Sequence, residues 1–310
     1  MIKIYNIRDN TLKEQGKFTK GSWINVVNPT KEEIDTISTY LYIDEQDIES
    51  VLDADERARI EVSRNYGVII VDVPIASAEK NEIYQTIPIA IFFTEEYILT
   101  VCVEELPLLE KMIKDSSRKD INTSTPNLFI LQFLYNNSIL YLNFLRKIDK
   151  KSREVEKELN ESLSNSELLH LLALEKSLVF FKVSLKSLQP VLEKMTKLTS
   201  IQFTEEEKAL LEDVIIEHNQ AVEMTEIYSG VLNGMLNTSA SIISNNLNNV
   251  MKTLTSITLI ISIPTVIGSF YGMNVLLPIQ DDPFAFIYIL LGSTFMSLIL
   301  TIILIKKKLF

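Results

Sequence analysis

Thr258, Ser262, Thr265 and Ser269 recur at steps of four, three and four, a spacing that sets four hydroxyls on one face of a helix. Tyr271, Gly272, Met273 and Asn274 follow directly. Hydroxyl and amide oxygens are neutral acceptors, suited to holding a cation through its shell of water, whereas a ring of carboxylates would trap it. The chemistry on offer is the handling of a hydrated hard cation. The same helical face continues toward the N-terminus through Leu254, Met251, Asn248 and Ser244, with Asn237 further down. It is hydroxylated at one end, apolar at Leu254 and Met251, and amide-rich at the other. An apolar step in a wetted passage closes it by dewetting. The run Ser244-Asn245-Asn246-Leu247-Asn248-Asn249 is a poor choice for helix stability alone, and amides lining a vestibule account for it. Two plainer readings stand beside this one. Ser and Thr in spanning helices often bond back to their own backbone or across to a neighbour while Leu and Met simply pack, and Gly and Asn are common at helix ends.

Positioning these residues is the task of a membrane hairpin. Leu254–Phe270 and Phe284–Ile305 are the only stretches of membrane length, with no charged residue between Lys252 and Asp281 or between Asp282 and Lys306. Each meets the rule of roughly 20 apolar residues for a spanning helix. Lys252 precedes the first stretch, Lys306, Lys307 and Lys308 follow the second, and the connecting loop has no Lys or Arg. The positive-inside bias then places both termini in the cytoplasm of a two-span protein of the cell membrane. Met1–Asn10 has no basic segment followed by an apolar one, so no cleaved signal peptide is read there.

The rest of the chain is acidic. A formal net charge of -11 argues against a nucleic-acid partner, which needs clustered Lys and Arg, and suits a surface that attracts cations. No Walker-type loop, HExxH or nucleophile elbow occurs, and His170 and His218 stand isolated on helical segments as surface or packing residues. Neither an enzyme nor an organic cofactor is indicated. The single cysteine, Cys102, lies in the apolar run Tyr97–Val103; it has no intrachain partner and reads as a buried strand residue.

Beta-rich runs at Ser22–Val27, Tyr66–Pro74, Thr86–Phe93 and Tyr97–Val103 predict an α/β domain with a small sheet. Thr30 followed by Glu33 predicts a capped helix start. From Pro126 the periodicity turns helical, with two long helices through Ser200. The first carries the mixed-charge run Arg146–Glu158, which reads as a solvated face. A third segment, from about Glu205 to Tyr271, has no proline before Pro264 and predicts one helix on the order of 100 Å long. Its apolar stripe, Leu210, Val214, His218 and Val222, needs neighbours; self-association around a central axis is a natural source of them. The chain thus divides into a cytoplasmic α/β domain at 1–125, long helices with the start of a stalk at 126–252, and a transmembrane hairpin with a short basic tail at 253–310.

Gly272-Met273-Asn274, closing the first of two C-terminal spans, resembles the signature of the CorA family of magnesium transporters. Trp23-Ile24, Asn28-Pro29-Thr30, Val250-Met251-Lys252 and Lys306-Lys307-Lys308 also look like family segments, so the resemblance covers essentially the whole chain. It implies an α+β cytoplasmic domain followed by long stalk helices and a two-helix transmembrane hairpin, assembled as a funnel-shaped homopentamer. It also implies that the tripeptide marks the outer mouth of a pore, that the face from Asn237 to Ser269 lines it, and that Asn274 meets the ion through its hydration shell. The implied function is channel-like Mg2+ influx, gated by intracellular Mg2+. Two charges crossing the potential gain about 4.6 kcal/mol per 100 mV, so no nucleotide is needed. Asp213 matches a family aspartate on the stalk that faces an acidic residue of the neighbouring α/β domain, for which Glu79 is the candidate. The loop Val275-Leu276-Leu277-Pro278-Ile279-Gln280-Asp281-Asp282 departs from the family's Met-Pro-Glu-Leu. The proline survives and the glutamate does not, leaving Asp281 and Asp282 to supply negative charge at the mouth. That departure keeps Co2+, Ni2+ and Zn2+ open beside Mg2+ as cargo. Identical copies, membrane lipid and divalent cations are the partners implied, and a membrane-anchored sensor or scaffold is the reading of a different class.

Overall fold

The strand-forming runs are apolar on both faces, and the sheet they build is covered on both sides. The computed structural model describes residues 1–8, 11–15, 19–54, 56–77, 83–94, 96–115, 125–161, 165–198, 202–279 and 281–307. Glu79, Gln280 and Lys308 lie outside the described residues. Contacts divide the chain into two units, Met1–Leu236 and Asn237–Phe310.

In the first unit, β1 (Ile2–Arg8), β2 (Thr11–Gln15), β3 (Ser22–Val27), β4 (Arg59–Val62), β5 (Gly67–Ala76), β6 (Tyr84–Phe93) and β7 (Tyr97–Cys102) form one sheet. Its order is β2-β1-β3-β7-β6-β5-β4. Only β3 and β7 pair in parallel, with Trp23 opposite Ile98 and Val27 opposite Cys102. Side chains alternate across the pleat. Trp23, Ile69, Val71, Ile89, Ile91 and Ile98 turn to the cluster that includes α3 (Pro107–Asp115), α4 (Pro126–Glu161) and α5 (Asn165–Lys197). Ile24, Val26, Val68, Ile70, Phe92 and Leu99 turn to α1 (Lys31–Leu41) and α2 (Glu45–Ser50). All four predicted strands are present, and the sheet is larger than they suggest. The edge strands β2 and β4 carry Lys13, Glu14, Arg59 and Glu61, charges that discourage edge pairing and blur the strand pattern. Cys102 is fully buried, and burial pushes its thiol up to about 12.

The helix starts follow local chemistry. Glu33 N–H donates to Thr30 Oγ1 at 3.3 Å while Thr30 N–H donates to Glu33 Oε2 at 3.0 Å, the reciprocal capping box expected at α1. The same box opens α6 (Glu205–Tyr271), with Thr204 and Glu207 bonded at 2.8 and 3.2 Å. On α4, Arg153 pairs with Asp149 at 3.0 Å and Lys150 with Glu154 at 4.0 Å on the exposed side, while Ile148 and Val155 turn inward. The mixed-charge run is a solvated face.

The apolar stripe of α6 is satisfied differently from the expectation. Leu211, Val214, His218 and Ala221 are buried, and the apolar ones join the clusters built by α4 and α5. The chain covers this part of the stripe itself, so the stripe there makes no demand for a second copy. His170 is exposed, whereas His218 is fully buried and neither ring nitrogen has a hydrogen-bond partner among the described residues. Burial lowers its pKa to about 4; the Leu185 carbonyl offsets part of this without reaching hydrogen-bond geometry. The unfolded imidazole titrates near 6.5, so between there and about 4 the unfolded chain holds the extra proton. Stability is full above that window and falls through it by up to about 3 kcal/mol as pH drops. Thermal unfolding between pH 7 and 4 should therefore fall more steeply for the wild type than for His218→Leu, and parallel curves would refute the assignment.

The second unit holds the C-terminal part of α6 and α7 (Ala285–Lys306). Contrary to the expectation of only two membrane-length stretches, α4 also has the length and composition of a span, but 56% of its apolar window is buried inside the protein, against 6% for α6 and 11% for α7. Helices that stay apolar and uncovered need lipid or other helices around them.

Candidate functional site

Within the second unit, α7 decides which face of α6 is which. Ser256 is buried, and Ile260, Ile263 and Ile267 are half-buried; these mark the side of α6 that meets α7, where Ser293 and Leu304 are buried in turn. With about 100° of rotation per residue, Thr258, Ser262, Thr265 and Ser269 fall roughly 180–240° from Ser256. Thr258, Thr265 and Ser269 are exposed and face away from α7, with Ser262, half-buried, at the edge of the stripe.

Each hydroxyl donates back into its own helix. Thr258 bonds the Leu254 carbonyl at 2.8 Å, Ser262 that of Leu259 at 2.8 Å, Thr265 that of Ile261 at 2.9 Å and Ser269 that of Thr265 at 2.8 Å. Back-bonding of this kind is the plainer reading of these residues, and it serves the other one too. A hydroxyl whose proton is committed to the backbone presents only acceptor lone pairs outward. Waters bound to a cation have only protons to offer. Below the stripe, Leu254 and Met251 are 57% and 52% exposed, and Asn248, Ser244 and Asn237 are exposed on the same helix.

The helix tightens as it ends. Gly272 N–H reaches the Gly268 and Ser269 carbonyls at 3.0 and 3.3 Å, and Met273 N–H reaches that of Phe270 at 3.2 Å, the short-range bonding typical of a last turn. Gly272 is not left-handed, and a Cβ there would meet only the Gly268 and Ser269 carbonyls at 3.5 Å. Among the described residues nothing requires glycine at this position. Asn274 is exposed, and its amide makes no hydrogen bond among the described residues. The Tyr271 hydroxyl donates to the Pro278 carbonyl at 3.2 Å, bracing the connecting loop. Asp282 accepts from Phe284 N–H at 2.8 Å at the start of α7, a structural task that the exposed Asp281 lacks among the described residues.

Asp213 is exposed on α6 in the first unit, while Glu79 lies outside the described residues. Among the described residues no three His, Cys, Asp or Glu side chains stand together as a metal centre. Ser256, Ser293 and Ser297 were not singled out from sequence. Their signal was there to read, as hydroxyls in apolar spans that lie off the stripe.

A family model described as CorA-like Mg2+ transporter protein matches residues 19–307. The cobalt/magnesium transport protein CorA of Methanocaldococcus jannaschii is 26% identical over 273 residues, 85% of this chain and 83% of that protein. Its namesake in Thermotoga maritima is 22% identical over 257 residues, 82% of this chain and 73% of that one. Among solved structures, the complete CorA magnesium transporter from Methanocaldococcus jannaschii superposes with a TM-score of 0.83 at 22% identity, covering 98% of this chain and 96% of that one. The superposition speaks for the fold.

Proposed function

Because the chain belongs to the CorA-like Mg2+ transporter family, we propose that it conducts Mg2+ into the cell through a pore lined by α6, driven by the membrane potential. The observation that carries this reading is the stripe of back-bonded hydroxyls on the α6 face opposite α7, ending at the exposed amide of Asn274. Mg2+ gives up water reluctantly. A passage that offers neutral acceptors to the waters selects the ion without holding it fast. Leu254 and Met251 form the apolar constriction that dewets to close the path, and Asn248, Ser244 and Asn237 line the vestibule below it.

One α6 supplies one wall of such a passage, so copies must surround an axis, five of them on the family's pattern. The apolar surface of α7 then faces lipid. Lys252, Lys306 and Lys307 flank the spans and the connecting loop carries no basic residue, which supports two spans with both termini in the cytoplasm. Residues 1–125, 126–252 and 253–310 then serve as sensor domain, stalk and pore. Relatives named for cobalt and magnesium make Co2+ the second cargo to test.

In a strain lacking its own magnesium importers, expression should restore growth at low Mg2+, and a metal series should rank Mg2+ and Co2+ above Ni2+ and Zn2+. A membrane-anchored sensor or scaffold would leave growth unrescued. For closure by intracellular Mg2+, the exposed carboxylate of Asp213 is the proposed contact with a neighbouring copy. Asp213→Ala should raise the internal Mg2+ needed to shut the pore, and an unchanged closing curve would remove Asp213 from the sensor.

A further inference from the structure

Pro264 lies inside α6. Proline has no N–H, so the carbonyl of Ile260, four residues earlier, loses its helical partner. In a spanning segment no water replaces it, and the freed group must find protein. The Ser297 hydroxyl of α7 donates to that carbonyl at 3.3 Å. The next carbonyl, that of Ile261, receives the Thr265 hydroxyl at 2.9 Å. Both carbonyls beside the break are thus met by hydroxyls, one from within α6 and one from α7. Ser256 and Ser293, both buried, keep side chains small along the same seam, which lets two helix backbones approach.

We infer that Ser297 is a positioning residue for conduction, tying the proline break of α6 to α7. A helix bends most readily where its ladder is already interrupted, and a tether at that point sets the angle of everything beyond it. Beyond it lie Thr265, Ser269 and Asn274. Ser297 belongs to α7 and bonds the side of α6 that carries Ile260; it acts through the alignment of the stripe. The inference rests on the reading of α6 as the pore lining.

The test uses the full chain in proteoliposomes as wild type, Ser297→Ala, Ser297→Thr, Pro264→Ala and the Pro264→Ala/Ser297→Ala double variant. Ser297→Ala should lower Mg2+ flux roughly threefold to tenfold, the range of interhelical hydrogen bonds in membranes, and Ser297→Thr should retain it. In the Pro264→Ala background a backbone N–H again reaches the Ile260 carbonyl, so losing the Ser297 hydroxyl should change flux little. An equal loss in both backgrounds, or no loss in the first, overturns the tether. If the wild type carries no Mg2+, the pore reading fails separately, and unfolding temperatures of the same set in detergent decide the tether. Non-additive shifts sustain it, and additive shifts end it.

Discussion

Asn274→Ala is expected to cut Mg2+ flux through the reconstituted protein at least about tenfold, a barrier change of about 1.4 kcal/mol, and to leave the unfolding temperature unchanged. The two halves of this expectation have one cause. Asn274 is exposed and its amide bonds nothing among the described residues, so its removal costs the fold little. An amide left free at the end of a stripe of acceptors is available to the waters around an ion. Asn274→Asp separates charge from shape: a carboxylate should bind Mg2+ more tightly and release it more slowly, giving lower flux with a lower half-saturating concentration. An Asn274→Ala protein with wild-type flux would take this residue out of the path.

Trp23→Ala should destabilise the first unit by about 3–5 kcal/mol, the range for deleting a large buried aromatic. Trp23 is fully buried, with ring centroids 5.3 Å from Tyr5 and 5.0 Å from Phe129. Its indole N–H donates to Thr100 Oγ1 at 3.0 Å, and Thr100 donates to Asn25 Oδ1 at 2.9 Å. The substitution therefore opens a cavity and also leaves a buried hydroxyl one partner short. It falls where β3 and β7 form the sheet's one parallel pair. Trp23→Phe keeps most of the volume and loses the indole bond, so it should lie between. Chemical denaturation followed by far-ultraviolet circular dichroism checks both, and a loss below about 1 kcal/mol for Trp23→Ala would contradict the packing argument.

Much of the architecture was written in local chemistry. Thr30 with Glu33 announced α1, the runs around Ile69, Ile91 and Leu99 announced the central strands, and the helical pattern from Glu205, with no proline before Pro264, announced α6 to its last residue at Tyr271. Less legible was what each face would meet. Leu210, Val214 and Val222 required a cover, and periodicity cannot tell whether the cover is a second copy or the α5 of the same chain; the structure has α5 and α4 there. The helical pattern of α4 likewise looks spanning on composition, because apolar side chains for a core and for lipid are the same residues. At the site, spacing placed Thr258 to Ser269 on one face, but only the packing of Ser256 and Ile260 shows that α7 lies on the other. On the proposed reading, copies around the axis supply the surroundings of Asn274 and Gly272, and periodicity along one chain carries no signal for those faces.

The central claim is that α6 forms a potential-driven Mg2+ path, and uptake by proteoliposomes carrying the full chain tests it most directly. With an inside-negative potential and no nucleotide, Mg2+ should enter, and the rate should climb as the potential is made larger and collapse when it is dissipated. Uptake no greater than that of empty liposomes at every potential would contradict the account.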